Sequence, residues 1–201
     1  MLGLGVSHGP FVEGVLGHTF EKPAPKMKSY LEAMARMKYL GPMPIEKPRT
    51  IIGALGPKML EVAAALADGA HPYNVTPRHT AEARRILGPG KLLCPEQMVL
   101  LEKDPAVARA IAREAIGMSL TLPNYRNNYL RIGFSAEDME NGGSDRLVDA
   151  IVAWGDEKAI RERLRQHFEA GADHVCIQPL RRGTRVLTAD DEKVLELLAP
   201  G

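Results

Sequence analysis

Short apolar runs that are rich in glycine and β-branched residues alternate along this chain with longer segments of helical period. Five such runs can be counted, at residues 2–7, 50–54, 69–75, 92–101 and 174–180. Strands that alternate with helices in this way form parallel sheets, because each crossover helix returns the chain to the end from which it started. The pattern predicts an α/β fold. Periodicity alone leaves open whether the sheet is doubly wound or part of a barrel.

Capping residues mark the ends of the predicted helices. Pro57 suits a first helical position, Thr76 and Asp104 suit N-caps, and Gly88 and Gly171 suit helix stops. Helices are predicted at about 25–40, from 56 onward, at 76–88, from 104 onward, at 157–170 and at 188–198. The stretch 104–173 is too long for one helix and is predicted to hold several. No linker divides the chain, so residues 1–201 are predicted to form a single domain.

The composition is that of an ordinary globular protein and argues against several partners. The chain is 45% hydrophobic and 25% charged, and its formal net charge of +1 leaves no basic stripe for nucleic acid. Cys94 and Cys176 lack CxxC spacing, and neither a basic leader nor an apolar stretch of about 18 residues is seen. We therefore expect a cytoplasmic protein that contacts neither nucleic acid nor membrane.

Motifs of several enzyme classes are missing. Gly3, Gly5 and Gly9 do not follow the GxGxxG spacing of dinucleotide-binding turns, and neither GxSxG nor HExxH occurs. His8, His71 and His174 are not at metal-ligand spacing, so no metal site is predicted.

The strongest physical candidate for a binding site is the turn formed by Ala54, Leu55, Gly56, Pro57, Lys58 and Met59. A strand ends and a helix begins in this anion turn, so unpaired N–H groups and the positive end of the helix dipole coincide. Gly56 would let the backbone approach an anion closely, and Lys58 could add a point charge. An anion site is predicted here. A plain strand-to-helix turn with a solvated lysine is the alternative.

Polar residues near the predicted strand ends are candidates for chemistry, because barrel active sites lie where the strands end. His8 follows the first run and can transfer protons near neutral pH, the alternative being a loop histidine bonded to backbone. His71 ends the third run, and Glu96 and Gln97 lie within the fourth. Each of these three is either an interior hydrogen bonder or a cofactor contact.

Other polar residues are weighed as recognition elements. Arg181 and Arg182 follow the last run and could clamp an anion or be solvated charges. A substrate-side lid is predicted at the polar set Asn124, Tyr125, Asn127 and Asn128. Trp154, at the end of an apolar helical stretch, is predicted to pack in the core.

An ordered set of short motifs resembles the luciferase-like monooxygenase family, and most closely its subgroup that uses a deazaflavin coenzyme. The motifs are LGLGVSH at 2–8, ALGPKM at 54–59, ADGAHP at 67–72, CPEQ at 94–97, LPNYRNN at 122–128, SDRLVDAIVAWG at 144–155 and AGADHVCIQ at 170–178. No single motif is decisive, but their order along the chain is specific.

The resemblance implies a (β/α)8 TIM barrel of the bacterial luciferase-like type. LGLGV would be the fourth strand and HVCIQ the eighth, so the chain has no counterpart of the first three strands. Apolar residues facing those strands would be left in water, so we expect a homo-oligomer. The alternatives are a natural chain longer than this sequence and a piece that closes alone by another route.

The resemblance also implies a cofactor, which is a deazaflavin of the factor 420 type or, alternatively, FMN. Its phosphodiester would lie on the anion turn, while Val6 and Ser7 would contact the edge of its ring. His71 would be a further cofactor contact, and His8 stands where relatives can hold a carboxylate that donates a proton. The departure to histidine puts that role in question.

The implied function is an oxidoreductase that transfers hydride between the deazaflavin and a small organic substrate. An FMN-dependent monooxygenase of the same fold is the close alternative. A non-catalytic remnant that only binds the cofactor is an alternative from a different class, motivated by the missing strands.

Overall fold

The computed structural model describes residues 1–42, 44–180 and 189–199. These residues hold seven strands: β1 Leu2–Leu4, β2 Thr50–Ile52, β3 Gly69–Ala70, β4 Leu92–Leu93, β5 Glu96–Leu100, β6 Val152–Trp154 and β7 Cys176–Pro179. They also hold nine α-helices: α1 Gly9–Gly14, α2 Pro23–Arg36, α3 Pro57–Leu66, α4 Pro77–Leu87, α5 Pro105–Thr121, α6 Pro123–Arg131, α7 Asp145–Ile151, α8 Glu157–Glu169 and α9 Ala189–Leu198. None of the described helices is long and apolar enough to cross a membrane.

Every strand pair is parallel, as the alternation of strands and helices predicts. The strands are ordered β1-β2-β3-β4 in one sheet and β6-β5-β7 in the other. Hydrogen bonds continue across the break, since the Glu96 N–H donates to the Pro72 carbonyl and the Cys176 N–H to the Pro95 carbonyl, both at 2.9 Å. The strands β4 and β5 are therefore two halves of one run, and the arrangement is an arc of a (β/α) barrel.

Helices cover the outer face of this arc in chain order. Contacts join α2 to α3, α3 to α4, α4 to α8 and α8 to α9. Because side chains alternate across a strand, Ile52, Ala70 and Leu93 pack against the first helices of this layer, while Val99 packs beside α8. The opposite face, here called the inner face, carries Leu55, Tyr73, Met98, Leu100 and Leu180, which pack with residues of α5, α6 and α7.

Glycine occupies the inner face near the edge strand. Gly3 and Gly5 alternate with Leu4 and Val6, whose side chains pack toward the helical layer. A Cβ atom added at Gly3 or Gly5 would meet none of the described atoms within 4 Å. This part of the inner face is thus open space beside bare backbone.

The capping signals of the sequence operate as predicted. The Thr76 hydroxyl accepts the His79 N–H at the start of α4, and the Asp104 carboxylate accepts the Ala106 and Val107 N–H groups at the start of α5. Gly88 and Gly171 have φ angles of 76° and 100°, which suit glycine at helix ends.

All five predicted strands are shorter than the apolar runs that indicated them, and two of them differ in a way that has a clear cause. The first run forms a strand only to Leu4, and the fourth divides at Cys94 and Pro95, because a proline has no N–H to continue the ladder. The helix predicted at 25–40 ends at Arg36, and α1 occupies part of the predicted loop.

Residues 144–155, predicted as an apolar helical stretch, are helical over only part of their length. The chain is helical to Ile151 and passes directly into strand β6, with no turn residue between them. A continuous apolar run contains no local signal for such a change. Trp154 is therefore a strand residue, half-buried, whose indole N–H donates to Asp149 at 2.8 Å.

Candidate functional site

The carboxyl ends of the parallel strands bring three rings together. The ring centroids of His8 and Tyr125 lie 5.8 Å apart, and those of Tyr73 and Tyr125 lie 6.4 Å apart. The Tyr73 hydroxyl donates to Gln178 Oε1 at 2.8 Å. This aromatic cluster of His8, Tyr73 and Tyr125 therefore joins residues that follow β1 and β3 to α6 and β7.

The local backbone leaves the His8 ring available. The His8 carbonyl accepts the N–H groups of Phe11 and Val12 at the start of α1, while its side chain makes no capping bond. The ring is half-buried beside Tyr125. The strand direction places Gly56 and His71 at the same edge of the sheet, as predicted, while Arg181 and Arg182 lie outside the described residues.

Strained backbone follows two of the strands at this edge. Ser7 and Asn74 have φ angles of 60° and 56°, in the left-handed region that favours glycine. Asn74 is held there by its side-chain amide, which donates to Ser119 Oγ at 2.6 Å, and by its N–H, which donates to Glu96 Oε2 at 3.2 Å. Such strain concentrates at functional sites, where the surrounding structure maintains it.

The anion turn places Gly56 at the N-cap of α3. Gly56 has φ −88° and ψ 163°, which any residue can adopt, and a Cβ atom added there would meet nothing within 4 Å. Neither backbone geometry nor packing therefore requires glycine at this position. Among the described residues, no protein acceptor takes the N–H of Gly56 or of Lys58, and the Lys58 side chain is exposed.

Three of the predicted cofactor-binding residues turn their side chains into the core. Ala54 and Met59 are buried among the residues between the sheet and its outer helices, and Val6 packs against the same cluster. Any contact of these three residues with a cofactor would therefore come from their backbone. Ser7 is exposed, and Leu55 and Pro57 are half-buried.

His71 has a defined tautomer. Its Nδ1 lies 2.6 Å from the Cys94 carbonyl, and only a protonated nitrogen can donate to a carbonyl. Cys176 Sγ lies 3.9 Å from the same nitrogen. The neutral ring therefore has its lone pair on Nε2, which can accept a hydrogen bond from a ligand.

Glu96 and Gln97 point to opposite faces of β5. The Gln97 amide donates to the Met98 and Ile151 carbonyls, and its oxygen lies 3.0 Å from His167 Nε2, so Gln97 acts as an interior hydrogen bonder. Glu96 lies almost fully buried on the inner face, and its Oε1 has no hydrogen-bond partner in the part of the chain that the structure describes. Burial raises the pKa of Glu96 to about 7, against the lowering effect of the Asn74 N–H.

The predicted lid set divides between two environments of α6. Asn124 and Asn127 are exposed, whereas Asn128 is buried with its oxygen accepting a hydrogen bond from Arg131 at 2.5 Å. Burial, with smaller effects of Tyr73 and Glu96, raises the pKa of Tyr125 to about 12. Tyr125 therefore keeps its proton at neutral pH and can donate a hydrogen bond.

Tyr73, Gln178 and His79 are not among the predicted site residues. His71 and Tyr73 are two residues apart, and side chains at this spacing point to the same face of a strand. The sequence therefore contained a signal that Tyr73 lies on the same face of the predicted strand as His71. The hydrogen bond of Tyr73 to Gln178 joins residues 105 positions apart, and no local signal predicts it.

The sequence and the structure of this chain are similar to those of luciferase-like proteins. The sequence profile of the luciferase-like monooxygenase family matches residues 1–174. No curated protein matches the chain in sequence.

Several solved structures share the fold at low sequence identity. An F420-dependent secondary alcohol dehydrogenase in complex with an F420–acetone adduct has a TM-score of 0.62 at 13% identity, over 88% of this chain and 63% of its own. A coenzyme F420-dependent tetrahydromethanopterin reductase from Methanopyrus kandleri has a TM-score of 0.62 at 15% identity, over 98% and 72%. An EDTA monooxygenase from Chelativorans sp. BNC1 has a TM-score of 0.60 at 13% identity, over 96% and 62%. The chain thus spans about two thirds of the length of these relatives, and likeness at this identity establishes the fold alone.

Proposed function

The chain belongs to the luciferase-like monooxygenase family, and from this premise we propose that it is an oxidoreductase that moves hydride between a deazaflavin coenzyme and a small organic substrate. Two of the structurally similar enzymes are F420-dependent, so a protein of this fold can bind a deazaflavin, and the resemblance of the sequence motifs favours that cofactor over FMN. The observation that carries the proposal is Gly56, a glycine that neither a positive φ nor a close neighbour requires, at the start of a helix with free N–H groups. A residue without a side chain lets a ligand approach the backbone closely at this point.

The described residues fit such a coenzyme at both of its ends. The N–H groups of Gly56 and Lys58 would hold the phosphodiester, with the Lys58 ammonium adding charge. The bare backbone at Gly3 and Gly5 leaves room for a flat ring beside Val6 and Ser7. When bound, the coenzyme would supply the redox chemistry, and the protein would supply position and electrostatics.

Proton transfer is the role that remains for side chains. Hydride transfer to a carbonyl carbon requires a proton at the carbonyl oxygen, and the His8 ring at the strand edge can hold that proton. The Tyr125 hydroxyl, which keeps its proton at neutral pH, can donate a hydrogen bond beside His8. His71 Nε2 can accept a hydrogen bond from coenzyme or substrate.

Two substitutions in the anion turn test the binding half of the proposal. Gly56→Val keeps an allowed backbone and its Cβ atom meets no described neighbour, so it should fold, yet its side chain should block the close approach and weaken coenzyme binding about 10- to 100-fold. Lys58→Ala should cost only about 1 kcal/mol, because salt screens an exposed charge. Fluorescence titration of coenzyme against both variants gives the ranking. A Gly56→Val protein that binds like the parent would contradict the proposal.

The same titration distinguishes the alternatives. His8→Gln should bind coenzyme like the parent and lose about 100-fold or more in turnover, since general acid–base catalysis contributes that much. Tight binding of FMN without binding of deazaflavin would support the monooxygenase instead. Coenzyme binding without turnover in the parent would support the non-catalytic alternative.

A further inference from the structure

A buried histidine outside the aromatic cluster contacts the anion turn directly. His79 lies in the first turn of α4, and its Nε2 is 2.8 Å from the Leu55 carbonyl. This carbonyl belongs to the residue that precedes Gly56. Because a carbonyl only accepts, His79 Nε2 carries the hydrogen and donates it.

The histidine is held rigidly. Its ring is 0% exposed, and the Thr76 hydroxyl accepts its backbone N–H at 3.3 Å. Burial lowers the pKa of His79 to about 4, so the ring is neutral at ordinary pH. The contact with Leu55 is therefore a hydrogen bond between two neutral groups at ordinary pH.

The histidine is not explained by packing alone. Its Nδ1 is buried and has no partner among the described residues, and a buried unsatisfied nitrogen costs free energy. An apolar side chain of similar shape would fill this place without that cost. The donor at Nε2 is thus the property that distinguishes histidine here.

We propose that His79 is the positioning residue of the anion turn, which holds the Leu55 carbonyl so that the Gly56 N–H points at the coenzyme phosphodiester. The Leu55 carbonyl and the Gly56 N–H belong to one trans peptide, in which the two groups point in opposite directions. Fixing the carbonyl toward the protein interior turns the N–H outward. This inference rests on the proposed function of the turn.

Two variants of nearly equal polarity separate positioning from general stability. His79→Gln carries an amide nitrogen about as far along the side chain as Nε2 and can still donate to Leu55. His79→Asn stops one methylene short and cannot reach. Each protein is titrated with the F420-type coenzyme and its phosphate-free riboside, and with FMN and riboflavin, and its unfolding temperature is measured.

In at least one of the two ligand pairs, the parent protein should bind the phosphorylated ligand (the F420-type coenzyme or FMN) more tightly than the phosphate-free one (the riboside or riboflavin). His79→Asn should reduce that preference about tenfold with the affinity for the phosphate-free member unchanged, and His79→Gln should restore it. In the ligand-free protein the Gly56 amide resonance should move in His79→Asn and stay near its parent position in His79→Gln. His79→Phe, which keeps the ring shape, replaces His79→Asn if that variant does not fold.

The outcomes separate the two ideas. A parent without any preference would reject the phosphate site, and with it the role of His79. A parent with a clear preference that His79→Asn retains would leave the site standing and overturn only the assignment of His79. If His79→Asn weakened the binding of the phosphorylated and the phosphate-free ligand equally, the role of His79 would be purely structural. That result would also overturn its assignment as the positioning residue.

Discussion

At the scale of single residues, the fold exerts strong control over the protonation of Glu96. The residue is 4% exposed, with one carboxylate oxygen accepting the Asn74 N–H and the other without a partner among the described residues. Burial disfavours the charged form and raises the pKa from 4.5 to about 7. Between pH 4.5 and pH 7 the folded protein binds a proton that the unfolded chain releases. The contribution of this proton to the free energy of unfolding is therefore complete below pH 4.5 and is lost as the pH rises through 7.

Glu96→Gln should remove this dependence, because the amide keeps an oxygen for the Asn74 N–H and does not ionise. As the pH rises from 5 to 8.5, the free energy of unfolding of the variant should therefore increase by about 2 to 3 kcal/mol relative to that of the parent. Urea unfolding of both proteins across this range measures the difference.

The buried histidines act in the opposite direction but do not obscure the comparison. Burial lowers the pKa of both His79 and His167 to about 4, so each penalises the folded state as the pH falls from 6.5 toward 4. Both titrations occur in the parent and in the variant, so they cancel in the difference. A difference that stays constant with pH would show that Glu96 is ionised at an ordinary pKa.

At the scale of secondary-structure elements, Arg84 of α4 clamps three chain segments at the amino end of the sheet. Its guanidinium donates to the carbonyls of Gly88, Lys91 and Gly171 and pairs with Asp173 at 2.5 Å. It thereby ties the end of α4 and the entry to β4 to the turn between α8 and β7. This clamp holds the bottom of the strands whose upper ends form the candidate site.

Gly171→Ala should destabilise the protein by about 2 kcal/mol. Gly171 has φ 100°, which costs other residues free energy, and an added Cβ would lie 2.8 Å from Arg84 Cγ. Gly117→Ala in α5 is the matched control, since nothing lies within 4 Å of its Cβ and alanine favours a helix by about 0.5 to 1 kcal/mol. The midpoint of thermal unfolding should be lower than that of the parent in Gly171→Ala and higher in Gly117→Ala. Equal effects of the two would refute a special role for the 171 turn.

At the scale of the whole molecule, apolar surface concentrates near the edge strand. β1 pairs only with β2 among the described strands. The first 45 residues expose a series of large apolar side chains: Phe11, Val15, Leu16, Tyr30, Met37, Tyr39, Leu40 and Ile45. A cavity of about 560 Å3 lies in the same region, between β1 and α2, with Val6, Phe20 and Met27 in its wall.

The protein should therefore associate in solution instead of remaining a well-dispersed monomer. Apolar surface in water costs roughly 25 cal/mol per Å2, and an open strand edge offers unpaired hydrogen-bonding groups to another chain. Light scattering over a concentration series should show a mass above 22.0 kDa. A monomer at all concentrations that does not bind an apolar dye would be inconsistent with this expectation.

The order of most helices and strands follows from local sequence, because helix caps and apolar strand patterns depend on neighbouring residues. Thr76, Asp104 and Gly171 mark helix ends that the structure shares. The anion turn was also visible, since a glycine and a proline between a strand and a helix are a local pattern. Strand β6 was missed because the apolar run 151–154 fits helix and strand equally, and only its pairing with β5 decides between them.

The sequence by itself determined that the strands of the five apolar runs are parallel, and hence which edge of the sheet holds His8, Gly56 and His71, although not the residue at which each strand ends. Only the tertiary structure decided what each of these residues faces. The contact of His79 with Leu55 spans 24 positions and that of His8 with Tyr125 spans more than 100, so both depend on how helices pack above the strands. The physical reason is that caps and strand periods are local, whereas hydrogen bonds and ring contacts between distant segments exist only after the chain has folded.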